Sequence, residues 1–249
     1  MLSALYYLFT LIHTTILCII SALALLFTYP FQKNRRIVHE LSRYMTWLFF
    51  LIPGIRRPVK GLENIDKNKS YVIVMNHNSG VDILAAYKIP LNFRWVSKKE
   101  VFKTPFFGPM LLVHGDIPIE RGNASAAMAK VIRDGKLWIS RGASIAIFPE
   151  GTRSKSGDIN RFKAGAFTLA KEAGVEILPI VMKGTRETLK GWKMNWGHTI
   201  GFRVLKPISV EEVQNTETKD LMDKVHGQMT EALAEKITNI VIAQNPADM

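Results

Sequence analysis

The sequence predicts an α/β fold, in which a mixed, largely parallel sheet is flanked by helices. Short apolar runs typical of buried strands, such as residues 71–75 and 144–148, alternate with segments of helical spacing such as residues 124–140. Strands that alternate with helices along a chain are the pattern of a sheet covered by helices on its faces. A long apolar stretch precedes this pattern and predicts a membrane anchor of two helices at the N-terminus.

The individual elements follow from the same patterns. We expect strands at residues 71–75, 93–97, 117–119, 144–148, 177–182 and 201–205, and helices at 83–88, 104–113, 124–140 and 163–172. Near the C-terminus, apolar residues recur at steps of three and four, which predicts an amphipathic helix docked on the core. These residues are Leu221, Met222, Val225, Met229, Leu233, Ile237, Ile240 and Val241.

The N-terminal stretch carries no charged side chain from residue 2 to residue 31. A helix of about thirty residues is roughly 45 Å long, which exceeds the roughly 30 Å hydrocarbon core of a bilayer. A second apolar run at 45–55 is too short to cross, and basic residues follow both runs. We therefore expect residues 1–60 to form a hairpin or interfacial anchor and residues 61–249 to form the α/β domain. Both a full span and insertion into one leaflet fit this pattern.

A cleaved signal peptide is the alternative interpretation of the same stretch. Residues 22–24, Ala-Leu-Ala, resemble a cleavage site, but no basic region precedes the apolar run.

The composition limits the possible partners. A formal net charge of +12 favours an anionic lipid surface, nucleic acid, or an acidic substrate or carrier protein. Because the cations are spread along the chain and no nucleic-acid motif occurs, we expect no nucleic acid partner. The single cysteine, Cys18, excludes a disulfide within the chain, and the six histidines do not have metal-ligand spacing. We therefore expect no metal and no cofactor.

The motif at residues 76–82, Asn-His-Asn-Ser-Gly-Val-Asp, connects the first predicted strand to a helix. This position places His77 at the carboxyl edge of the sheet, where open α/β folds bind their ligands. If the chain reverses after His77, the Asp82 carboxylate can reach the imidazole. A histidine held by a carboxylate is a positioned base that can take a proton from an attacking hydroxyl. An ordinary surface turn is the alternative for such a pair.

A second polar turn, residues 149–154, follows the predicted strand 144–148. In it, Glu150 can accept hydrogen bonds, Gly151 allows close backbone approach, and Arg153 offers a planar fork for a phosphate or carboxylate. Lys98 and Arg121 each follow another predicted strand. Because a phosphomonoester carries close to two negative charges, two or more converging cations would suit it. Solvated surface charges are the alternative.

Four segments together carry a family resemblance. Residues 77–82 resemble the His-x4-Asp motif of the glycerolipid acyltransferases, and residues 115–121 resemble the second block of that family. Residues 148–154 are similar to its Phe-Pro-Glu-Gly-Thr-Arg-Ser block, and residues 177–181 to its proline-centred fourth block. The chain departs from the usual pattern at Asn78, Gly80 and Glu120, which leaves the charged groups in place. Among the family, its bacterial members acting on 1-acyl-sn-glycerol-3-phosphate are the most similar.

The resemblance implies a function and a set of roles. The reaction would move a fatty acyl group from acyl-CoA or acyl-carrier protein to the sn-2 hydroxyl of lysophosphatidic acid, giving phosphatidic acid for phospholipids. It would occur on the cytoplasmic face of a bacterial inner membrane, at an anionic membrane surface. His77 would be the general base and Asp82 would orient it. The implied substrate-binding residues are Lys98 and Arg121 for the acceptor phosphate, Glu150, Gly151, Thr152 and Arg153 for the acceptor site, and Pro179 for the acyl side.

Other functions are compatible with parts of the sequence. The acceptor could be another lysophospholipid, or His77 and Asp82 could activate water in a lipid hydrolase. Non-catalytic binding of membranes or nucleic acid by a basic protein would explain the positive charge and the anchor, but not the motifs. For the transfer reaction, we expect backbone amides near the His77 turn to stabilise the tetrahedral oxyanion.

Overall fold

The computed structural model describes residues 2–105, 107–120 and 122–235 of the chain. Within them, seven strands form one sheet in the order β1-β9-β6-β2-β5-β3-β4, and β7 pairs with β8 in a separate hairpin. The strands are β1 (Val59–Lys60), β2 (Val72–Met75), β3 (Phe93–Lys98), β4 (Ile117–Ile119), β5 (Ser144–Ile147), β6 (Ile177–Lys183), β7 (Leu189–Lys190), β8 (Lys193–Met194) and β9 (Gly201–Val204).

The seven-stranded sheet is mostly parallel. Its central strands β6, β2, β5 and β3 run in one direction, and only the pair β6 and β9 is antiparallel. Every residue of β2 and β5 is buried, as expected for strands covered on both faces. The predicted α/β fold with a mixed, largely parallel sheet is confirmed.

Helices cover both faces of this sheet. They are α1 (Leu2–Thr28), α2 (Arg36–Leu51), α3 (Val81–Ala85), α4 (Phe107–His114), α5 (Ala124–Ser140), α6 (Gly165–Ala173), α7 (Thr185–Thr188), α8 (Val210–Asn215) and α9 (Thr218–Ala234). Side chains alternate along β2, so that Ile73 and Met75 join one apolar core and Val72 and Val74 join the other. The first core includes Phe50 of α2, and the second includes side chains of α5, α6 and α9.

Close helix packing on the second face depends on one glycine. At Gly135 of α5, an added Cβ would lie 2.8 Å from the Leu169 side chain of α6. A larger residue at position 135 would therefore require the Leu169 side chain to shift.

The N-terminal segment forms the two predicted helices, with one difference. We expected the second apolar run at 45–55, but α2 already begins at Arg36. Arg35 before it has a left-handed backbone, with φ of 48°, which reverses the chain between the two helices. Among the described helices, α1 is long and apolar enough to cross a membrane, with a mean hydropathy of 2.2 over Ser3–Thr28.

A buried polar network fastens α2 to the sheet. His39 of α2 contacts His114 of α4 through nitrogens 3.0 Å apart, and His114 Nδ1 lies 2.7 Å from Asp116 Oδ1. Arg94 of β3 donates to His114 Nε2 at 3.2 Å. Because arginine only donates, Nε2 of His114 accepts, so the proton of this neutral ring is on Nδ1. Asp116 also accepts the backbone amide of Trp95 at 2.8 Å.

The C-terminal helix agrees with the prediction as far as it is described. Leu221, Val225 and Met229 of α9 are fully buried against the second core. The predicted residues Ile237, Ile240 and Val241 lie outside the described part of the chain. The β7–β8 hairpin was not predicted, because two-residue strands carry no periodicity.

Candidate active site

The turn after β2 holds the predicted histidine and aspartate in contact. His77 Nδ1 lies 2.8 Å from Asp82 Oδ2. The Asp82 side chain is fully buried, and the His77 side chain is 14% exposed, so the ring is accessible from one side. Since Nδ1 faces the carboxylate, Nε2 is the nitrogen that can accept a proton from a substrate.

Asp82 also organises the loop around it. Its Oδ2 atom accepts the backbone amides of Asn78 and Ser79, each at 2.7 Å. Ser79 Oγ accepts the amide of Val81 at 3.2 Å, so the serine stabilises the turn. The amides of residues 77, 78, 79 and 81 are bonded within the protein. Stabilisation of the oxyanion by other amides near this turn stays a prediction.

Aromatic stacking fixes the plane of the imidazole. The Phe148 ring lies parallel to the His77 ring, with centroids 4.1 Å apart and planes 10° apart. Trp95 stacks on Phe148 at 4.9 Å. Since Trp95 is buried and its amide is bonded to Asp116, this stack connects the imidazole to the interior of the domain.

Glu150 joins the second loop to the first. Its Oε1 accepts the backbone amide of His77 at 2.7 Å, and its Oε2 accepts the amide of Asn160 at 2.8 Å. The residue is 3% exposed, and this burial raises the pKa of its carboxyl group. The amide of Ser154 in turn donates to the His77 carbonyl at 2.7 Å. The two loops are therefore bonded to each other in both directions.

Exposed cations lie against the two loops. A Cβ added at Gly80 would lie 3.3 Å from Arg153 Nη2, so the guanidinium lies against the first loop. Gly151 has a φ of 71°, and a Cβ there would lie 3.0 Å from Lys163 Nζ. The glycine thus permits both a left-handed backbone and the approach of the lysine. Arg153 and Lys163 thus place positive charge on the two loops, where it can attract an anion.

An apolar pocket of about 310 Å³ opens beside this site. It shares Phe148 and Gly151 with the two loops, and Glu120 and Lys163 supply its charged side chains. Its apolar wall comes mainly from β3, β4, β5 and α5, and includes Val96, Ile119, Ala127, Met128, Val131 and Ile147.

The other predicted site residues occupy different surroundings. Lys98 ends β3 and Thr152 lies in the second loop, both exposed, and no described contact joins either to His77. Pro179 is buried within β6, opposite Val74 of β2, and does not line the pocket. Its carbonyl accepts the amide of Leu205 at the position where the pairing with β9 ends, so the proline, which has no amide, lies at the end of that ladder. Arg121 lies outside the described residues.

Sequence reasoning missed three supporting residues. Phe148 belonged to a recognised motif, but its stacking on His77 was not anticipated. Asn160 is ten residues from Glu150 and contributes a backbone amide, which no side-chain pattern reveals. Asn76 is buried and bonds to Met182 of β6 in both directions, at 2.9 and 2.7 Å. Its place directly before His77, at the end of a strand, is the one signal that could have indicated its role.

The fold and site define an α/β protein with a histidine–aspartate pair at the sheet edge, next to exposed cations and an apolar pocket. A family described as Acyltransferase matches residues 56–183. A 1-acyl-sn-glycerol-3-phosphate acyltransferase of Pseudomonas aeruginosa is 31% identical over 209 residues, covering 83% of this chain and 80% of that protein. The chain belongs to the acyltransferase family.

Two further likenesses agree with this membership. A chloroplastic 1-acyl-sn-glycerol-3-phosphate acyltransferase of Arabidopsis thaliana is 32% identical over 70% of this chain, although the match spans only 49% of that protein. The chain thus spans about half the length of this plant relative. The crystal structure of the 1-acyl-sn-glycerophosphate acyltransferase PlsC of Thermotoga maritima superposes with a TM-score of 0.71, covering 98% of this chain and 99% of that one. At 20% identity, this likeness shows the shared fold.

Proposed function

We propose that the protein transfers a fatty acyl group from acyl-CoA or acyl-carrier protein to the sn-2 hydroxyl of lysophosphatidic acid. The product is phosphatidic acid, a precursor of phospholipids. The observation that carries the proposal is the contact of His77 Nδ1 with Asp82 at 2.8 Å, in a site where Nε2 is left to act on a substrate. Family membership and the relatives named above support the choice of substrates.

In the proposed reaction, His77 Nε2 removes the proton from the acceptor hydroxyl as its oxygen attacks the thioester carbonyl. A carbon–oxygen bond forms, and the tetrahedral intermediate then expels the thiolate by breaking the carbon–sulfur bond. The imidazolium returns the proton to the thiolate, which leaves a free thiol and the new ester. Asp82 remains ionised and stabilises the imidazolium, and a general base of this kind contributes about 10²–10⁴-fold.

The cations beside the histidine suit the acceptor phosphate. Arg153 lies against Gly80, and Lys163 lies against Gly151, on two sides of the bonded loops. We assign the acceptor phosphate to the surface between Arg153 and Lys163, with Lys98 and Arg121 as further cations. The loop that shapes this surface contains Glu150, Gly151 and Thr152. Two cations are the expected complement of a group with close to two negative charges.

The pocket of about 310 Å³ suits a hydrocarbon chain. Its wall is formed by aliphatic side chains and Phe148, and its charged residues Glu120 and Lys163 leave a mostly apolar interior. An acyl chain in this pocket would place its ester or thioester end near Phe148 and therefore near His77. We propose that Pro179 affects acyl-chain binding only indirectly, by holding β6 beside β2.

The N-terminal helices suit attachment to one leaflet. Tyr6 and Tyr7, near the start of α1, contact Phe49 and Trp192, and Arg35, after the end of α1, bonds to the carbonyls of α4. The first turns of α1, a helix about 40 Å long, and the connection after its end thus contact the rest of the protein. This placement supports an in-plane anchor at residues 1–60, with the acyltransferase domain at 61–249 on the cytoplasmic face of a bacterial inner membrane. Basic residues near the anchor would favour anionic lipid.

One assay tests this function. Purified protein in detergent is incubated with radiolabelled acyl-CoA or acyl-carrier protein and a panel of lysophospholipids, and the products are separated by chromatography. We expect labelled phosphatidic acid to form only when lysophosphatidic acid is present. Equal thiol release with and without an acceptor would indicate a hydrolase, and transfer mainly to another lysolipid would overturn the proposed acceptor.

A further inference from the structure

The β7–β8 hairpin presents an exposed tryptophan that the acyl transfer site does not use. Trp192 lies at the tip of the hairpin and is 84% exposed. Lys190 and Lys193 flank it, and both are exposed. The hairpin residues 189–194 carry two lysines and no acidic side chain, so the charge of the hairpin is positive. An exposed aromatic side chain indicates a contact surface when it belongs to a larger exposed apolar patch.

The hairpin is bonded directly to the first turns of the apolar helix α1. The Tyr7 hydroxyl donates to the Trp192 carbonyl at 3.1 Å, and the two rings meet edge to face at 6.1 Å. Tyr6 contacts Trp196 in the same way at 5.8 Å. The amide of Gly197 also donates to the Pro53 carbonyl, at 2.8 Å, just after α2. The hairpin and the anchor therefore form one connected surface.

This surface is apolar beyond the hairpin. Leu5 and Leu8 at the same end of α1 are 59% and 54% exposed. Large apolar side chains of α2 and the residues after it are also exposed, namely Trp47, Leu51 and Ile52. Trp192 thus extends the exposed apolar surface of the anchor by means of a separate part of the chain, more than 130 residues away in sequence.

We propose that the hairpin of residues 189–194 is a third membrane contact, which places Trp192 at the interface of an anionic lipid leaflet. Tryptophan favours the headgroup level of a bilayer because its ring is apolar and its indole N–H is polar. Lys190 and Lys193 would then lie at lipid phosphates. A contact at this point would fix the rotation of the domain about α1. The inference goes beyond acyl transfer and does not depend on it.

An environment-sensitive probe tests whether Trp192 reaches lipid. Cys18 is the only cysteine, so Cys18→Ser with Trp192→Cys allows a single NBD label on the full chain. The matched control carries Glu211→Cys on α8, an exposed position on a helix that packs on α6. With vesicles of phosphatidylglycerol and phosphatidylcholine, we expect a blue shift and quenching by lipids spin-labelled near the headgroup at position 192 only.

Three outcomes would overturn the inference. The first is unchanged emission at position 192 while the labelled protein still sediments with vesicles. The second is equal quenching at positions 192 and 211. The third is a blue shift that depends on protein concentration without vesicles, since a second copy of the chain would then cover Trp192.

Replacing Lys190 and Lys193 tests the same proposal without altering Trp192. A basic residue near an anionic surface strengthens binding by a factor of about five at low salt. We therefore expect Lys190→Gln combined with Lys193→Gln to weaken partition into anionic vesicles by about 10–30-fold, with little change for neutral vesicles. Lys219→Gln with Lys224→Gln on α9 is the charge-matched control. Equal losses in the two pairs, or no loss in the first, would contradict the proposal.

Discussion

Glu150 accepts the backbone amide of His77 at 2.7 Å, so the carboxylate of one loop fixes the main chain of the other. The second oxygen of the same carboxylate accepts the amide of Asn160. Glu150 therefore satisfies two donors while almost fully buried, and it holds the main chain of His77 in place. Without it, the His77 loop would lose the bond that holds it beside β5.

Glu150→Gln tests this positioning role. A glutamine can accept only one of the two amides and turns an NH₂ group towards the other. A buried donor left without a partner costs about 1–3 kcal/mol. We expect the free energy of unfolding to fall by that amount, and kcat to fall more than KM rises, measured by denaturant titration and by steady-state transfer.

Glu172→Gln is the control for this change, because Glu172 is an exposed glutamate of α6. We expect it to alter the stability by less than about 0.5 kcal/mol and to leave kcat unchanged. If the two variants behaved alike, Glu150 would not position His77.

Asp82→Asn tests the charge beside the imidazole. The asparagine oxygen can replace Oδ2 and keep the amides of Asn78 and Ser79 bonded, but it removes the negative charge that stabilises the imidazolium. We expect kcat to fall about 10²–10⁴-fold, the range that a positioned base contributes. Sedimentation with vesicles should be unchanged. A loss of less than about threefold would show that the carboxylate only shapes the turn.

Ala127→Phe tests the assignment of the apolar pocket. Ala127 lines the pocket, and a benzyl group there would exclude part of a long chain. At about 0.8 kcal/mol per methylene, the loss of two methylene contacts lowers kcat/KM for a long-chain acyl substrate roughly tenfold. Short-chain substrates should be affected less, as measured with a series of acyl lengths.

Ala129→Phe is the matched control on the same helix, because Ala129 is exposed and does not line the pocket. It should leave the length preference unchanged. Equal effects of Ala127→Phe on short and long chains would place the acyl group elsewhere.

The buried histidines predict a pH dependence of stability. Burial lowers the pKa of His39 well below its ordinary value, and burial also lowers that of His114, next to Arg94. Below a pH of about 6.5 the unfolded chain therefore binds more protons than the folded protein. The stability is fully present above that pH and decreases as the pH falls, by up to about 1.4 kcal/mol per pH unit for each histidine.

His39→Gln removes one of these groups and keeps a side chain that can donate to His114 Nε2. We expect the slope of unfolding free energy between pH 6.5 and 5 to fall by about half, measured by urea titration in detergent. A slope equal to that of the unmodified protein would mean that His39 is not neutral in the folded state.

The positions of the central strands could be predicted because fully buried strands leave uninterrupted apolar runs. The runs at 71–75 and 144–148 became the adjacent parallel strands β2 and β5, whose carboxyl ends lie side by side. That adjacency explains why His77 and Glu150 meet although they are 73 residues apart. The positions of the two motifs that contain His77 and Glu150 could therefore be predicted from the sequence.

Other features depend on tertiary packing that no local pattern encodes. For example, α2 begins at Arg36, after the left-handed Arg35, and it includes the buried His39. Both residues lie before the apolar run at 45–55, so that run could not indicate where the helix begins. The stack of His77 on Phe148 requires the register of three strands, and the use of the His77-turn amides by Asp82 and Glu150 requires the closed loop.

The central claim is that His77 acts as the base for acyl transfer, and His77→Ala tests it most directly. Its transfer to lysophosphatidic acid should be compared with that of the unmodified protein and of His226→Ala, at equal vesicle binding and equal melting temperature. We predict that His77→Ala lowers kcat by at least about 100-fold, while His226→Ala leaves it unchanged. Transfer by His77→Ala at a rate near that of the unmodified protein would contradict this mechanism.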